Sequence, residues 1–445
     1  MFPYLRKSCD FTPPDASKRQ ANSTPKYDSA AFYPEVGPLQ VSYPNWGSPF
    51  GTWGMKGMQS LGLTENPELN NGILVGSAWA PDTINPADEH RSTSESSFLQ
   101  SVSGKTNLKV YTHSMAKKIL FSGTTATGVL VNNTDTRSTF TLTANKEVIL
   151  SAGAIQSPQM LMVSGIGPSA TLNKYKIPVV ANLAGVGQNL QDHALAGITF
   201  RVNVETMSRY VDDPVYAAKA DTAYNTNQTG PLTSPSGPVA FQKISTNSSV
   251  TLSTSTKSAL ASTFASDWPE IEYLFSDAFP GPDPNDGYNY ATIYTANVAP
   301  FSKGYVTISS ADANVSPVFD LALLSDSRDM EVFLAGYKRS RQIFAAVPQV
   351  VLGTEILPGP TANTDAALTS YIRANAGAVW HASGSCAMGK STDKNAVVDT
   401  HGRVYGVKKL RVVDASIFPF VLPGHPQSTV YGLAEKIAAD IAAGN

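Results

Sequence analysis

Apolar positions change period along this chain, and each change marks a different kind of element. The run Val148-Ile149-Leu150, flanked by Glu147 and Ser151, is continuously apolar and short, as a buried parallel strand requires. It empties into Ala152-Gly153-Ala154-Ile155-Gln156-Ser157-Pro158, where Gly153 permits a tight turn and Ser157 before Pro158 predicts a helix start. That helix carries Met160, Leu161 and Val163 and stops at Gly165-Ile166-Gly167-Pro168. Strand, glycine turn and helix make half of a doubly wound unit. Between 196 and 375 the period falls to two, as in Ile198-Thr199-Phe200-Arg201-Val202 and Tyr305-Val306-Thr307-Ile308, with one long helix over 327–347. This predicts an antiparallel sheet with helices on one side. The α/β pattern then returns in a strand over 410–414. It is followed by a tail, 429–443, with Val430, Leu433, Ala434, Ile437, Ala438 and Ile441 on one helical face.

Shorter signals fill the remainder. Residues 1–45 have no sustained period and read as an extended, lid-like arm. Pro49 to Met58 predicts a turn into a short helix, 91–102 a helix, 107–113 a short strand, and 128–131 with 139–143 a hairpin.

Composition narrows the partners. Lys and Arg total 33 against 35 Asp and Glu, a net charge of −2, so nucleic acid and anionic membranes are not expected to bind. No apolar run approaches the roughly 18 residues of a membrane span. Two cysteines, Cys9 and Cys386, exclude a disulfide framework though not one bridge, and Cys386 reads as a buried filler. Five Asn-x-Ser/Thr sequons, at Asn22, Asn132, Asn227, Asn247 and Asn314, favour a secreted glycoprotein. The stretch Met1 to Lys7 nevertheless lacks the apolar core of a signal peptide.

The candidate chemistry lies near the C-terminal end. His381 follows Trp380 in Ala378-Val379-Trp380-His381-Ala382-Ser383-Gly384-Ser385-Cys386. His425 sits between Gly424 and Pro426, just before Gln427-Ser428-Thr429 and the final helix. Between the two histidines runs Leu410-Arg411-Val412-Val413-Asp414-Ala415-Ser416. Removing a proton from an alcohol calls for an acceptor with a pKa near working pH, which favours imidazole. Removing the hydride calls for a cofactor, since no side chain accepts one.

These segments resemble the glucose–methanol–choline (GMC) flavoprotein oxidoreductases, of the aryl-alcohol oxidase or dehydrogenase kind. Ser151 to Pro158 with Ser164 to Pro168 matches that family's second signature, and Gly185 to His193 fits a further family segment. The resemblance implies an FAD-binding Rossmann-like domain interleaved with an antiparallel substrate-binding domain. By this reading 1–45 is the arm and 46–195 is FAD-binding with flavin-lid elements. Residues 196–380 bind substrate, and 381–445 carry the active-site segment back to the FAD domain. It implies His381 as principal base, His425 as its partner, and Trp380 lining the substrate pocket. Ala116, Asp414, Ala415, His425, Pro426, Gln427 and Thr429 would contact FAD, while His193 reads as a structural linker. The implied substrate is a small-molecule primary alcohol, aromatic ones included. No Gly-x-Gly-x-x-Gly turn occurs in these residues, so the opening βαβ of the family is expected to be missing and the FAD domain incomplete. Two other readings stay open: a secondary-metabolite cyclase using the histidines for acid–base chemistry, and a non-catalytic remnant that binds a small molecule.

Overall fold

The computed structural model describes residues 1–33, 36–105, 107–234 and 237–445. Among them, seven strands form one antiparallel sheet. Its path runs Val351–Leu357, Ala194–Val202, Asn289–Asn297, Ile271–Ser276, Val239–Gln242, Gly76–Ala78, and Gly377–Ala378 also pairs with Ala194–Val202. The alternation read from the sequence sets its two faces. Ile271, Tyr273 and Phe275 point into a large core with Phe50, Phe333, Tyr337 and Phe344. The helices Pro49–Ser60 and Ser327–Ala345 supply that core's cover. Gly54 and Gly336 bring them close, because a Cβ at either would run into Phe275 or Ile271. The opposite sheet face carries Val239, Phe241 and Ala296, with Leu195 and Leu274 beside them. Its cover is thinner, and a cavity opens there.

The second body is built on the parallel pair Val148–Leu150 and Leu410–Val412, in register from Val148 opposite Leu410. Helices Gly153–Val163 and Gln427–Ala442 and the three-stranded sheet Ser114–Ser122, Thr125–Asn133, Thr139–Thr143 complete it. Its core holds Ile119, Leu161, Met162, Val412, Ile417 and Ile437, and Cys386 fills space there as expected. The arm is more structured than its lack of period suggests. Helix Phe2–Lys7 packs Leu5 against Gly432 of the last helix, and strands Cys9–Thr12 and Leu39–Ser42 pair in parallel.

Three expectations need correction. The helix expected to begin at Ser157 begins at Gly153, because Ser157 works from inside it, accepting the Ala152 N–H and donating to Asp414. Pro158 therefore lies within the helix, and its missing N–H frees the Ala154 carbonyl. The Ser385 hydroxyl donates to that carbonyl instead. The strand expected over 107–113 is absent, since that stretch is exposed and pairing starts at Ser114. The helix over 91–102 is reduced to a wide turn, Glu95–Leu99, running into Gln100–Val102. Of the five sequons, Asn22, Asn227 and Asn314 are exposed while Asn132 and Asn247 are partly covered.

Candidate active site

The segment Asn189 to His193 ties the two bodies together. Asn189 donates from Nδ2 to the carbonyls of Gly384 and Pro419, and Gln191 from Nε2 to Pro300. Gln191 Oε1 accepts the Val421 N–H, and Leu190 exchanges backbone hydrogen bonds with Gly304. Asp192 then uses a single oxygen, Oδ1, to accept both the His193 N–H at 2.8 Å and the His381 N–H at 2.9 Å. One buried carboxylate thus fixes two histidine backbones from distant parts of the sequence.

Their rings meet. Nδ1 of His193 lies 3.0 Å from Nδ1 of His381, with the ring planes at 88°. On the other side of His381, the ring centroid of His425 is 4.9 Å away. Gly424, at φ +87°, provides the left-handed turn that lifts His425 from the chain just ahead of helix Gln427–Ala442. His425 ends the row by placing Nε2 at 2.9 Å from Oε1 of Glu272, a wholly buried residue of strand Ile271–Ser276. The structure therefore brings together the two histidines read from the sequence and adds two groups that reading missed. Glu272 had a signal, as an acid alternating with Ile271 and Tyr273 in an otherwise apolar strand. His193, which the resemblance made a structural linker, brings its ring against that of His381.

The row is electrostatically graded. Burial, and next the charge on His425, push the pKa of His381 down to about 3, so its imidazole is neutral. Burial also drives His193 well below the ordinary value, reinforced by His381 and His425. At His425 burial opposes the proton, but the Glu272 carboxylate, helped by Asp82, outweighs it and raises the pKa. Half of the His425 side chain is exposed, and it lines the cavity. A neutral imidazole and a charge-stabilised one stand side by side.

The cavity has a volume of about 710 Å³ and is lined by His425, Glu272, Phe241, Leu274, Gln427, Ser428 and Thr429 among others. No side chain caps the helix that starts at Gln427, and its first residues Gln427, Ser428 and Thr429 line the same space. An uncapped helix N-terminus beside an imidazolium suits the electron-rich edge of a flavin ring. The residues present thus fit the ring end of FAD, with Gln427, Ser428, Thr429 and His425 as the groups that would hold it.

Other expected site residues fall elsewhere. Trp380 is 92% exposed at φ +62°, its side chain in solvent rather than lining the cavity. The positive φ turns it away as the chain enters His381. Asp414 is buried, but its carboxylate is taken by the N–H groups of Gly153 and Ser416 and by the Ser157 hydroxyl. The Ala415 carbonyl accepts the Gly384 N–H. Ala116 lies in strand Ser114–Ser122 and Pro426 precedes the last helix, and neither is among the cavity's lining residues. His381 is also outside that lining, 8% exposed beneath His425.

Comparison with known proteins agrees with this architecture. GMC oxidoreductase family models match residues 14–195 and 300–434. Dehydrogenase pkfF of Emericella nidulans is 47% identical over 453 residues, covering 100% of this chain and 73% of the relative. Patulin synthase of Aspergillus clavatus is 43% identical, covering 99% and 71%. Among solved structures, an FAD-dependent oxidoreductase from Chaetomium thermophilum superposes with a TM-score of 0.87 at 26% identity, over 99% of this chain and 79% of that one.

Proposed function

Since this chain belongs to the GMC oxidoreductase family, whose members bind FAD, we propose that it oxidises the CH–OH group of a primary alcohol. FAD, when bound, supplies the hydride acceptor. The chain's own part is to manage the hydroxyl proton. His381, kept neutral by burial, accepts that proton at Nε2, the nitrogen left over when Nδ1 faces His193. His425, kept protonated by Glu272, donates a hydrogen bond to the alcohol oxygen and stabilises the negative charge as the proton leaves. Phe241 and Leu274 give the cavity an apolar wall, which favours an aryl or alkyl alcohol over a sugar. The observation that carries the proposal is the pair of touching imidazoles, 4.9 Å apart, with opposite preferred protonation.

The test uses the flavin-loaded protein and a panel of primary alcohols. Anaerobic addition of an accepted alcohol bleaches the visible flavin band. His381→Ala slows that bleaching by about 10²–10⁴-fold while the resting flavin spectrum stays unchanged. Bound flavin that no alcohol bleaches would favour acid–base chemistry without redox. Bleaching by His381→Ala at the parent rate would remove His381 as the base.

A further inference from the structure

Glu89 lines the same cavity as His425, although only 5% of it is exposed. Its Oε2 accepts the Asn45 N–H at 3.0 Å. Its Oε1 has no hydrogen-bond partner among the described residues. The guanidinium nearby, that of Arg19, donates instead to the carbonyls of Ser23, Pro44 and Trp46. Glu272 also leaves one oxygen, Oε2, without a partner, but that atom is sealed from solvent, whereas Oε1 of Glu89 is open. We propose that Glu89 is a specificity-determining residue whose Oε1 receives a second hydroxyl on the alcohol substrate. The substrate is then a diol or a hydroxylated aryl alcohol. This rests on the reading of the cavity as an alcohol-oxidising site and deepens it.

The backbone is built to hold that side chain in place. Glu89 has φ +56°, in the left-handed region that favours glycine. The Asn85 N–H donates to the His90 carbonyl and the Glu89 N–H to the Asn85 carbonyl, each at 2.9 Å, so the loop is closed on itself. His90 beside it is exposed, while Glu89 turns inward. A non-glycine residue persists in such a state only where its surroundings fix it, and such residues concentrate at ligand sites.

The chemistry narrows the ligand. A buried carboxylate oxygen calls for a donor, and the protein supplies none to Oε1. Burial pushes the Glu89 carboxyl up to about 7, against the Asn45 N–H and the charges of Lys18 and Arg19. Both of its forms are therefore populated near neutral pH. A hydroxyl suits either, since it donates to the carboxylate and accepts from the acid. An ammonium suits only the ionised form, and His425, kept protonated by Glu272, disfavours a second cation in the same cavity. Leu232, Val239, Phe241 and Leu274 line the cavity as well and suit an apolar body. A ligand with one hydroxyl at the histidines, an apolar body and a second hydroxyl at Glu89 matches all of these groups.

The test uses flavin-loaded protein and matched alcohols. Terminal diols of four to eight carbons are compared with 1-alkanols of equal length, and hydroxybenzyl alcohols with benzyl alcohol. The best hydroxylated alcohol is expected to exceed its partner in kcat/KM by about 10–100-fold. In Glu89→Met that advantage is expected to shrink to about threefold or less, with the mono-alcohols within about threefold of their wild-type kcat/KM. FAD affinity should not change. No hydroxyl preference in wild type, a preference that survives Glu89→Met, or weakened FAD retention in that variant would each overturn the proposal. The last result would place Glu89 on the cofactor. Glu89→Asn, a residue that tolerates left-handed backbone but is too short to reach the same point, should behave alike and replaces Glu89→Met if that variant does not fold. If no alcohol bleaches the flavin, the alcohol-oxidising reading fails by itself. Resorcinol and dihydroxydiphenylmethane, each against its monophenol, then report the hydroxyl preference through perturbation of the flavin spectrum, and parity within both pairs overturns it.

Discussion

Nε2 of His425 lies 2.9 Å from Oε1 of Glu272, so a charge facing the cavity is balanced by one with no exposure at all. Removing the imidazole leaves that carboxylate alone in the core. His425→Ala is expected to cost about 2–3 kcal/mol in urea unfolding, less than for a wholly buried pair because half of the His425 side chain is exposed. Glu272→Gln removes the charge but keeps the volume. It is expected to lower kcat/KM by about 10–100-fold, and a parental value would show that His425 needs no counter-charge.

Acid should loosen the site from the other side of the row. His381 titrates at about 3 in the folded protein against an ordinary 6.5, so the native state binds fewer protons than the unfolded one. Its contribution is complete above pH 6.5 and is lost, at roughly 1.4 kcal/mol per pH unit, as pH falls toward 3. His425 has the opposite sign: its contribution is present below 6.5 and is lost as pH rises through its raised folded value. Unfolding midpoints between pH 6 and pH 4 are expected to drop steeply in wild type and less steeply in His381→Asn. Equal slopes would mean that His381 is not held neutral.

Asp414 accepts three hydrogen bonds: a local one from Ser416, and two from Gly153 and Ser157 that pin the end of strand Leu410–Val412 to the start of helix Gly153–Val163. Asp414→Ala strands those donors and is expected to cost about 3 kcal/mol or more by denaturant melts. Asp414→Asn, which keeps one acceptor oxygen, should lose less.

Trp380→Ser offers a contrasting expectation. An indole 92% exposed contributes little packing, so stability should stay within about 0.5 kcal/mol. Steady-state kcat/KM should stay within about twofold, and a larger loss would bring the side chain back into contact with substrate.

Local patterns in the chain were informative wherever one face of an element meets a core. Val148 and Leu150 of the apolar run and the helical face of Leu433 and Ile437 are buried, whereas Ile149, expected to be buried with its neighbours, is 48% exposed because its side chain alternates to the other face of the strand. His381 and His425 were legible because unusual neighbours, small residues on one side and Gly424 on the other, set them apart. Trp380, which the resemblance placed at the substrate pocket, is 92% exposed, and the direction of its side chain depends on one backbone angle that no local pattern encodes. His193 and Glu272 enter the site only through tertiary contacts, Glu272 from a strand whose cavity face is defined by its neighbours in the sheet. Ser157 was read as a helix start for a sound local reason. What displaced it was Asp414, a partner far along the chain.

The row of side chains is drawn from positions 193, 272, 381 and 425, so no local fragment contains even a rudiment of it. Ordering it requires the antiparallel sheet to have closed and the final helix to have docked. Turnover should therefore vanish at lower denaturant than the bulk of the secondary structure, making enzymatic rate a more sensitive gauge of a fully assembled molecule than any spectroscopic measure of its helices and strands.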